Sequence, residues 1–498
     1  MAGSKQFTGQ ITVASRIIDS LSSGLYASPG ACLKELVNNA YDADATRVEV
    51  LVKPDADRII VADDGHGMDR AEFERHFQRI SESYKRETSD TTAGGRPKIG
   101  KIGIGFIAAN ELCHEMEIHS TKAGSTELLR VTIDFEVMKR DPAERRREGD
   151  DLAKADYRGE VSHADREEHY THLFLNGVRG EARAILAGAE AAAGSRAVNS
   201  LYGKSPSSVA KVLRTLTSWD QLDAYSTTML EVALNVPVPY VDDWVPPEAV
   251  KAAHRFDRAA AALAFAVYYD GTELRKPTVF APPSRWFFEP FTLKGEHVSA
   301  VGYFYAQHRS ITPRQLQGVL IRIRQSAVGG YRSDWLGFPK TVGPLFQDWM
   351  SCELWADDRL EDAMNIDRQT LRDSHPAYVE LQKLFHDQLR KSLTRTRKEL
   401  YGAGSTQRRT QRAHEERAAI ESVVARHSSV LGRAEAETLT ASWGHSENDD
   451  ADEKRLLRTY SVAELYELVL SVATEVLSPA DARRFVESLT DKMRNRKP

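Results

Sequence analysis

Polar and apolar residues recur with a helical period near the start of the chain. Glu35, Asn39 and Asp42 stand at i, i+4 and i+7, beside the apolar pair Leu36 and Val37. This spacing predicts a helix with two carboxylates and an amide on one face, while its apolar residues point towards a core. The helix would therefore carry polar side chains at the edge of a packed domain.

Two short strands are predicted directly after this helix. Residues 48–52 alternate apolar and polar side chains, and residues 58–63 form a second β-like run. The second run ends in Asp63, followed by a turn that contains Gly65, Gly67 and Met68. We expect Asp63 to lie at the mouth of that strand.

A glycine-rich segment lies further along the chain. Gly100, Gly103 and Gly105 precede an apolar run that begins at Phe106, which indicates a loop entering a helix. Backbone amides in such a loop can form a nest for phosphate oxygens. Taken singly, each of these segments is also common as an ordinary turn or as a solvated acidic helix face.

In this order, within about seventy residues, the segments resemble the GHKL ATPases, which include gyrase, the ninety-kilodalton heat-shock chaperone, sensor histidine kinases and MutL. Residues 35–43 are similar to the family's N box, residues 63–68 to its first glycine box, and residues 100–105 to the glycines of its ATP lid. The resemblance implies an α+β fold in which a Bergerat-type α/β sandwich binds ATP.

The resemblance also implies a role for each residue that matches these motifs. Asp63 accepts a hydrogen bond from the adenine amine, and Gly65 and Gly67 let the backbone approach the nucleotide. Asn39 supplies an oxygen to Mg²⁺, which prefers oxygen ligands. Glu35, one turn earlier, orients and deprotonates the water that attacks the γ-phosphate.

Other residues are candidates for the same pocket. Thr171 matches the threonine on the strand that completes the family's pocket, or is an ordinary strand threonine. Lys85 begins a stretch, residues 85–98, that lacks apolar periodicity and is expected to be mobile until ATP binds. Lys85 then approaches the phosphates or stays solvated. With Met68 and Phe106, these residues complete the expected nucleotide-binding set.

The lid segment is closest to that of the chaperone, and no histidine precedes Glu35, so a sensor kinase is not expected. Residues 361–371 resemble the catalytic loop of the chaperone's middle domain, whose arginine reaches the γ-phosphate across a domain boundary. Arg368 takes this role here, although an aspartate precedes it where a small hydroxyl residue is expected. The alternative is that Arg368 pairs with Asp367 or Asp373.

Composition limits the class of protein. The chain has 498 residues, is 41% apolar and carries a formal net charge of −5, so it has length for two or three domains and no global basic field. Three cysteines fit no disulfide framework or metal spacing. No signal peptide or membrane span is recognisable. We expect a soluble, cytoplasmic protein with no membrane partner.

We expect an ATP-binding domain over residues 1–180, an α/β transducer domain over 181–400 and a charged helical region over 401–498. Residues 139–168 are expected to form an exposed, charged insertion. Residues 205–213 predict a capped helix, and residues 230–238 and 318–324 predict strands. The aromatic residues at 331–338 indicate a packed core in preference to a partner surface.

The terminal region leaves more than one function open. Eight Lys or Arg residues and one Glu lie between Arg390 and Arg412, which is typical of a solvated helix face or of a nucleic-acid contact. Apolar helical patterns from residue 461 onwards are a candidate homodimer or partner-docking element.

The sequence therefore predicts a chaperone-like, Mg²⁺-dependent ATPase that acts as a clamp on a protein partner or client. The alternatives are a nucleic-acid-acting ATPase similar to MutL, gyrase or microrchidia proteins, and a nucleotide switch in a defence or stress complex.

Overall fold

A computed structural model describes residues 28–52, 57–77, 90–100, 108–139, 157–188, 199–280, 285–339, 347–365 and 367–402, with a few positions between 472 and 488. The chain divides into two compact units, residues 1–405 and 406–498. In the second unit the described apolar side chains Val472, Val476 and Phe485 are exposed. The remaining description concerns the first unit.

The described part of the first unit alternates helices and strands. Its α-helices are α1 Pro29–Asp42, α2 Arg70–Phe77, α3 Ala108–Leu112, α4 Phe135–Lys139, α5 Gly180–Leu186, α6 Pro206–Thr215, α7 Ala224–Asn235, α8 Val250–Ala261 and α9 Pro376–Thr396. Its strands are β1 Arg47–Leu51, β2 Arg58–Asp63, β3 Cys113–Thr121, β4 Glu127–Asp134, β5 Tyr157–His163, β6 Tyr170–Val178, β7 Ala266–Tyr269, β8 Thr272–Glu273, β9 Trp286–Lys294, β10 Ser299–Gln307, β11 Gly318–Ile323, β12 Ser326–Arg332 and β13 Met350–Ala356. Short 3₁₀ turns span Trp219–Gln221, Pro247–Ala249, Arg314–Leu316 and Asp358–Ala363, and a π-helical turn, Arg397–Gly402, follows α9. No helix among the described residues is long and apolar enough to cross a membrane.

The first sheet has eight strands in the order β5-β4-β3-β6-β2-β1-β7-β8. Its pairs are antiparallel except for β1 and β7, which run parallel with Val48 opposite Val267. Strands β7 and β8 come from beyond residue 180, so this sheet includes residues on the far side of the expected domain boundary. Apolar side chains on one face of the sheet pack beneath the helices.

Helix α1 lies in the middle of this first core. Its start is set by Ser28, whose hydroxyl accepts a hydrogen bond from the Ala31 amide at 3.1 Å, and by Pro29 at the first helical position. Leu33, Leu36 and Val37 are at most 2% exposed. The helix packs against α3 and α7. The predicted helix and the strands β1 and β2 are thus confirmed.

The second sheet has the order β12-β11-β13-β10-β9, with β11 and β13 parallel. One face packs against α9 in a second core, and the other contributes Tyr303, Tyr305 and Leu320 to the first core. Because the first core continues onto this sheet, the two sheets belong to one compact unit. The predicted strand at 318–324 is confirmed, and Trp335, Leu336 and Phe338 are buried as expected.

A buried charge network centres on Glu353 of β13. Its carboxylate accepts hydrogen bonds from Arg322 at 2.6 Å, Tyr303 at 2.9 Å and Tyr331 at 3.0 Å. Arg322 also donates to the Leu234 carbonyl of α7 at 2.9 Å. Both charged groups are fully buried, so their pairing is required to offset lost hydration.

Two sequence expectations need correction. The strand predicted at residues 230–238 is wrong, because residues up to Asn235 belong to helix α7, which Asp223 caps. Burial on nearly all sides gives α7 a continuous apolar run that periodicity cannot distinguish from a strand. In the charged insertion expected at 139–168, β5 is exposed but pairs with β4 as the edge of the first sheet. The helix predicted at 205–213 is confirmed as α6.

Candidate functional site

The polar face of α1 holds a buried carboxylate, Glu35, which is 7% exposed. Its Oε1 atom is buried and accepts no hydrogen bond from the described residues. Two cations lie close to this atom, Lys34 Nζ at 3.8 Å and Arg368 Nε at 4.0 Å. Asn39 follows one turn later and is partly exposed. The α1 face therefore presents a carboxylate oxygen with unused accepting capacity beside an accessible amide.

Asp63 ends β2 and is 8% exposed. Its Oδ1 atom accepts a hydrogen bond from the Gly65 amide at 2.9 Å. Burial raises the pKa of Asp63 from 3.8 to about 7, since the Gly65 amide only partly offsets desolvation and the charge of Asp64 adds to it. A buried carboxyl with such a pKa gains from a hydrogen-bond donor such as an aromatic amine.

Glycine is required at both positions of the turn after Asp63. A Cβ at Gly65 would lie 2.8 Å from the Ala43 carbonyl oxygen, and one at Gly67 would lie 1.8 Å from the Thr121 carbonyl oxygen. Gly67 also has φ +67°, in the left-handed region. The turn can therefore pass close to α1 and β3 only without side chains.

Thr171 lies on β6 directly opposite Asp63 in the strand register. It is 7% exposed, and its hydroxyl is 3.0 Å from the Ser120 hydroxyl. Ser120 in turn accepts a hydrogen bond from the Met68 amide at 2.9 Å. Neighbouring strands thus bring together residues that are more than one hundred positions apart.

Residues 98–100 form the described part of the glycine-rich segment. The amides of Ile99 and Gly100 donate to the Asp42 carboxylate at 2.7 and 2.8 Å. The Gly100 amide is therefore bound to Asp42 in this structure, and its role at the phosphates stays a prediction. Lys85, Gly103, Gly105 and Phe106 lie outside the described residues.

Arg368 comes from the second half of the unit and reaches α1. Its Nη1 atom donates to the Ile99 carbonyl at 2.7 Å, and its Nε atom is 4.0 Å from Glu35. Asp367 accepts hydrogen bonds from the Gln369 and Thr370 amides, so it caps its own turn. Arg368 is 9% exposed and has φ +53°, a strained conformation for a non-glycine residue that is typical of functional sites.

Sequence reasoning missed two cations around this site. Lys34 is 1% exposed, and its ammonium approaches the Ala327 carbonyl of β12 at 3.4 Å. Burial lowers the pKa of Lys34, although Glu35 opposes the shift. Arg324, in the turn before β12, donates to the Lys98 carbonyl. The adjacency of Lys34 to Glu35 was visible in the sequence, whereas nothing local signals the contact of Arg324.

The site suits a magnesium nucleotide. Gly65 and Gly67 let the turn beside Asp63 pack closely on α1 and β3. The Oε1 atom of Glu35, which accepts no hydrogen bond from the described residues, suits a water donor. Among the described residues no group of three or more His, Cys, Asp and Glu side chains could hold a metal ion. Mg²⁺ is usually bound by one or two protein groups plus substrate phosphates, so Asn39 with a bound triphosphate fits.

Comparison with known proteins agrees with this geometry. Residues 26–171 match the family model described as "Histidine kinase-, DNA gyrase B-, and HSP90-like ATPase". A putative type II restriction enzyme, HgiDII of Herpetosiphon aurantiacus, is 35% identical over 115 residues, 23% of this chain and 18% of that protein. The chaperone protein HtpG of Chromobacterium violaceum is 29% identical over 152 residues, 26% of this chain and 24% of the chaperone. The chain thus spans less than a quarter of the length of these curated relatives.

Proposed function

We propose, from the match of residues 26–171 to the histidine kinase-, DNA gyrase B- and HSP90-like ATPase family, that the chain binds Mg-ATP at the α1–β2 site and hydrolyses it. The observation that carries the proposal is the buried Oε1 atom of Glu35, which accepts no hydrogen bond from the part of the chain that the structure describes and lies 4.0 Å from Arg368 Nε. A general base and a phosphate-stabilising cation are the two groups that such a hydrolysis needs.

Binding is assigned to the β2 side of the site. Asp63 accepts the adenine amine, and Thr171, opposite it in the sheet, supports the same end of the pocket. The turn at Gly65 and Gly67 packs against Ala43 and Thr121 without side chains and so fixes the backbone beside Asp63. When bound, Mg²⁺ neutralises charge on the phosphate oxygens, and Asn39 supplies the protein ligand.

Hydrolysis is assigned to α1 and Arg368. Glu35 takes a proton from water, the water oxygen bonds to the γ-phosphorus, and the bond from that phosphorus to the β–γ bridging oxygen breaks to release ADP and phosphate. Arg368 stabilises the charge that develops on the γ-phosphoryl oxygens. Because Arg368 also contacts Ile99, nucleotide chemistry is coupled to the segment that Asp42 holds.

The test compares Mg-ATP binding and phosphate release in the full chain and its Glu35→Ala variant. We expect binding to persist while turnover falls by about 10²-fold or more, the usual contribution of a general base. Glu117→Ala, which removes a carboxylate paired with His119 away from the site, is the control. Unchanged turnover in Glu35→Ala, or absence of ATP binding by the wild-type chain, would refute the proposal.

The biological role that we propose is a chaperone-like clamp. In it, lid closure over ATP is linked to docking of the second module, defined as the second sheet with its turns and α9 (residues 286–396), on a protein partner, a client or a second copy of the chain. Its support is the similarity to HtpG and the reach of Arg368 into the site. ATP-dependent protection of a model client from aggregation tests it, and equal protection with ADP would contradict the clamp.

Similarity to the putative restriction enzyme favours a second candidate, an ATPase that acts with nucleic acid. In the described part of the basic stretch, Arg390 pairs with Asp387 and Arg395 with Glu399. These local pairs reduce the positive field of α9. Salt-dependent binding of duplex DNA by the full chain supports this candidate, since phosphate contacts release counterions. Binding that does not respond to salt argues against it.

A further inference from the structure

We propose that Arg324 is a positioning residue of the ATPase reaction, a role that rests on the proposed function. It holds the backbone at Lys98–Gly100 against the second sheet and so places Arg368 beside Glu35. Arg324 itself touches no reacting atom. The inference concerns how the second module sets the geometry of the site.

The conformation of Arg324 is unusual. Ile323 pairs with Ser326 in the β11–β12 register, so Arg324 and Gln325 form a two-residue hairpin turn. Both have positive φ, +51° and +71°. Asn-Gly or Asp-Gly sequences ordinarily occupy such turns, so arginine and glutamine indicate a requirement beyond chain reversal.

The Arg324 side chain joins two regions of the unit. It is 3% exposed and donates to the Lys98 carbonyl, and it lies 3.7 Å from Asp90. On the other side it binds Asp358 at 2.8 Å and lies 3.3 Å from Glu361. These two acids stand immediately before the loop, residues 364–371, that carries Arg368.

The backbone groups of the three consecutive residues 98–100 are hydrogen-bonded to side chains from both parts of the unit. Arg324 binds the carbonyl of Lys98, and Arg368 binds that of Ile99. The amides of Ile99 and Gly100 are bound by Asp42 of α1. Two arginines of the second module and one carboxylate of α1 therefore form hydrogen bonds with three successive residues. Loss of Arg324 would let this segment and Arg368 move together.

The test uses Arg324→Asn in the full chain, because asparagine tolerates the left-handed turn while it removes the guanidinium. We expect turnover to fall about tenfold to 10²-fold, as misplacement of catalytic groups does, with ADP affinity unchanged. The double variant Arg324→Asn/Arg368→Ala should be no slower than Arg368→Ala alone. Unchanged turnover, or defects that multiply in the double variant, would overturn the inference.

Arg359→Ala is the matched control, since this exposed arginine pairs with Asp357 and the Glu296 carbonyl in the same module. We expect it to leave turnover unchanged.

Hydrogen exchange of the nucleotide-free protein is a second measurement, and it does not depend on ATP turnover. The amides of residues 98–100 are all bonded and should exchange faster in Arg324→Asn than in the wild type. Equal exchange would overturn the positioning role of Arg324 even in an active enzyme. Faster exchange in the variant together with an inactive wild type would refute only the proposed ATPase.

Discussion

Replacing Asp63 by asparagine is expected to stabilise the protein without nucleotide while it abolishes adenine binding. Burial raises the pKa of Asp63 from 3.8 to about 7. The folded protein therefore holds a proton that the unfolded chain releases above pH ~4. The stability associated with this group is fully present below its unfolded pKa and is lost as pH rises from about 4 to about 7. An uncharged isostere avoids that loss and can still accept the Gly65 hydrogen bond.

The magnitude follows from the shift. Each pKa unit corresponds to about 1.36 kcal/mol, so a shift of some three units amounts to up to about 4 kcal/mol at pH 8. At pH 5 the loss of stability is only about 1.6 kcal/mol, because this pH is little more than one unit above the unfolded pKa. Asp63→Asn should thus exceed the wild type in free energy of unfolding at pH 8, by an amount that shrinks towards pH 4.

Urea unfolding of both proteins between pH 4 and pH 8 measures this difference. Asp64→Asn is a control of opposite sign. Partial burial opposes ionisation of Asp64, but hydrogen bonds from the Thr46 hydroxyl and the Thr46 and Arg47 amides outweigh it and lower its pKa. The stability due to Asp64 is present above its unfolded pKa and is lost as pH falls through its lower folded pKa. A pH-independent effect of Asp63→Asn, or a loss of stability at pH 8, would refute the reasoning.

Two further outcomes are expected. Glu353→Ala should lower the free energy of unfolding by about 3–5 kcal/mol in urea titrations, because it leaves the buried Arg322 charge unpaired; a loss below about 1 kcal/mol would contradict the network's role. A chain cut after residue 180 should lack a cooperative thermal transition, because β1 loses β7 and α1 loses α7; a normal transition would show that the ATPase domain folds without them.

Local sequence patterns predict the two elements, α1 and β2, that carry the site. The i, i+4, i+7 spacing on α1 and the apolar run that ends at Asp63 both correspond to the observed elements. Thr171 could be assigned to the pocket only through resemblance to a family, because its pairing opposite Asp63 over such a separation has no local signal. The same holds for β7, which joins β1 across more than two hundred residues.

The remaining features depend on tertiary contacts. The sequence predicts a strand where α7 forms, because burial on nearly all sides removes the polar stripe that marks a helix. Arg324 is the last residue of the strand predicted at 318–324, and its contact with Lys98 spans 226 positions. Asp42 was expected on the polar face, but its role in holding the Ile99 and Gly100 amides follows only from the folded chain.

The central claim is that Arg368 completes an ATPase site built on α1. Single-turnover phosphate release with saturating Mg-ATP, measured for the wild type and Arg368→Ala, tests it most directly. Arg372→Ala, an exposed arginine four residues away, serves as control. We predict a fall of about 10³-fold or more in Arg368→Ala, typical of a lost phosphate-stabilising arginine, with ADP affinity unchanged because ADP has no γ-phosphate. Equal rates in the wild type and Arg368→Ala would contradict the claim.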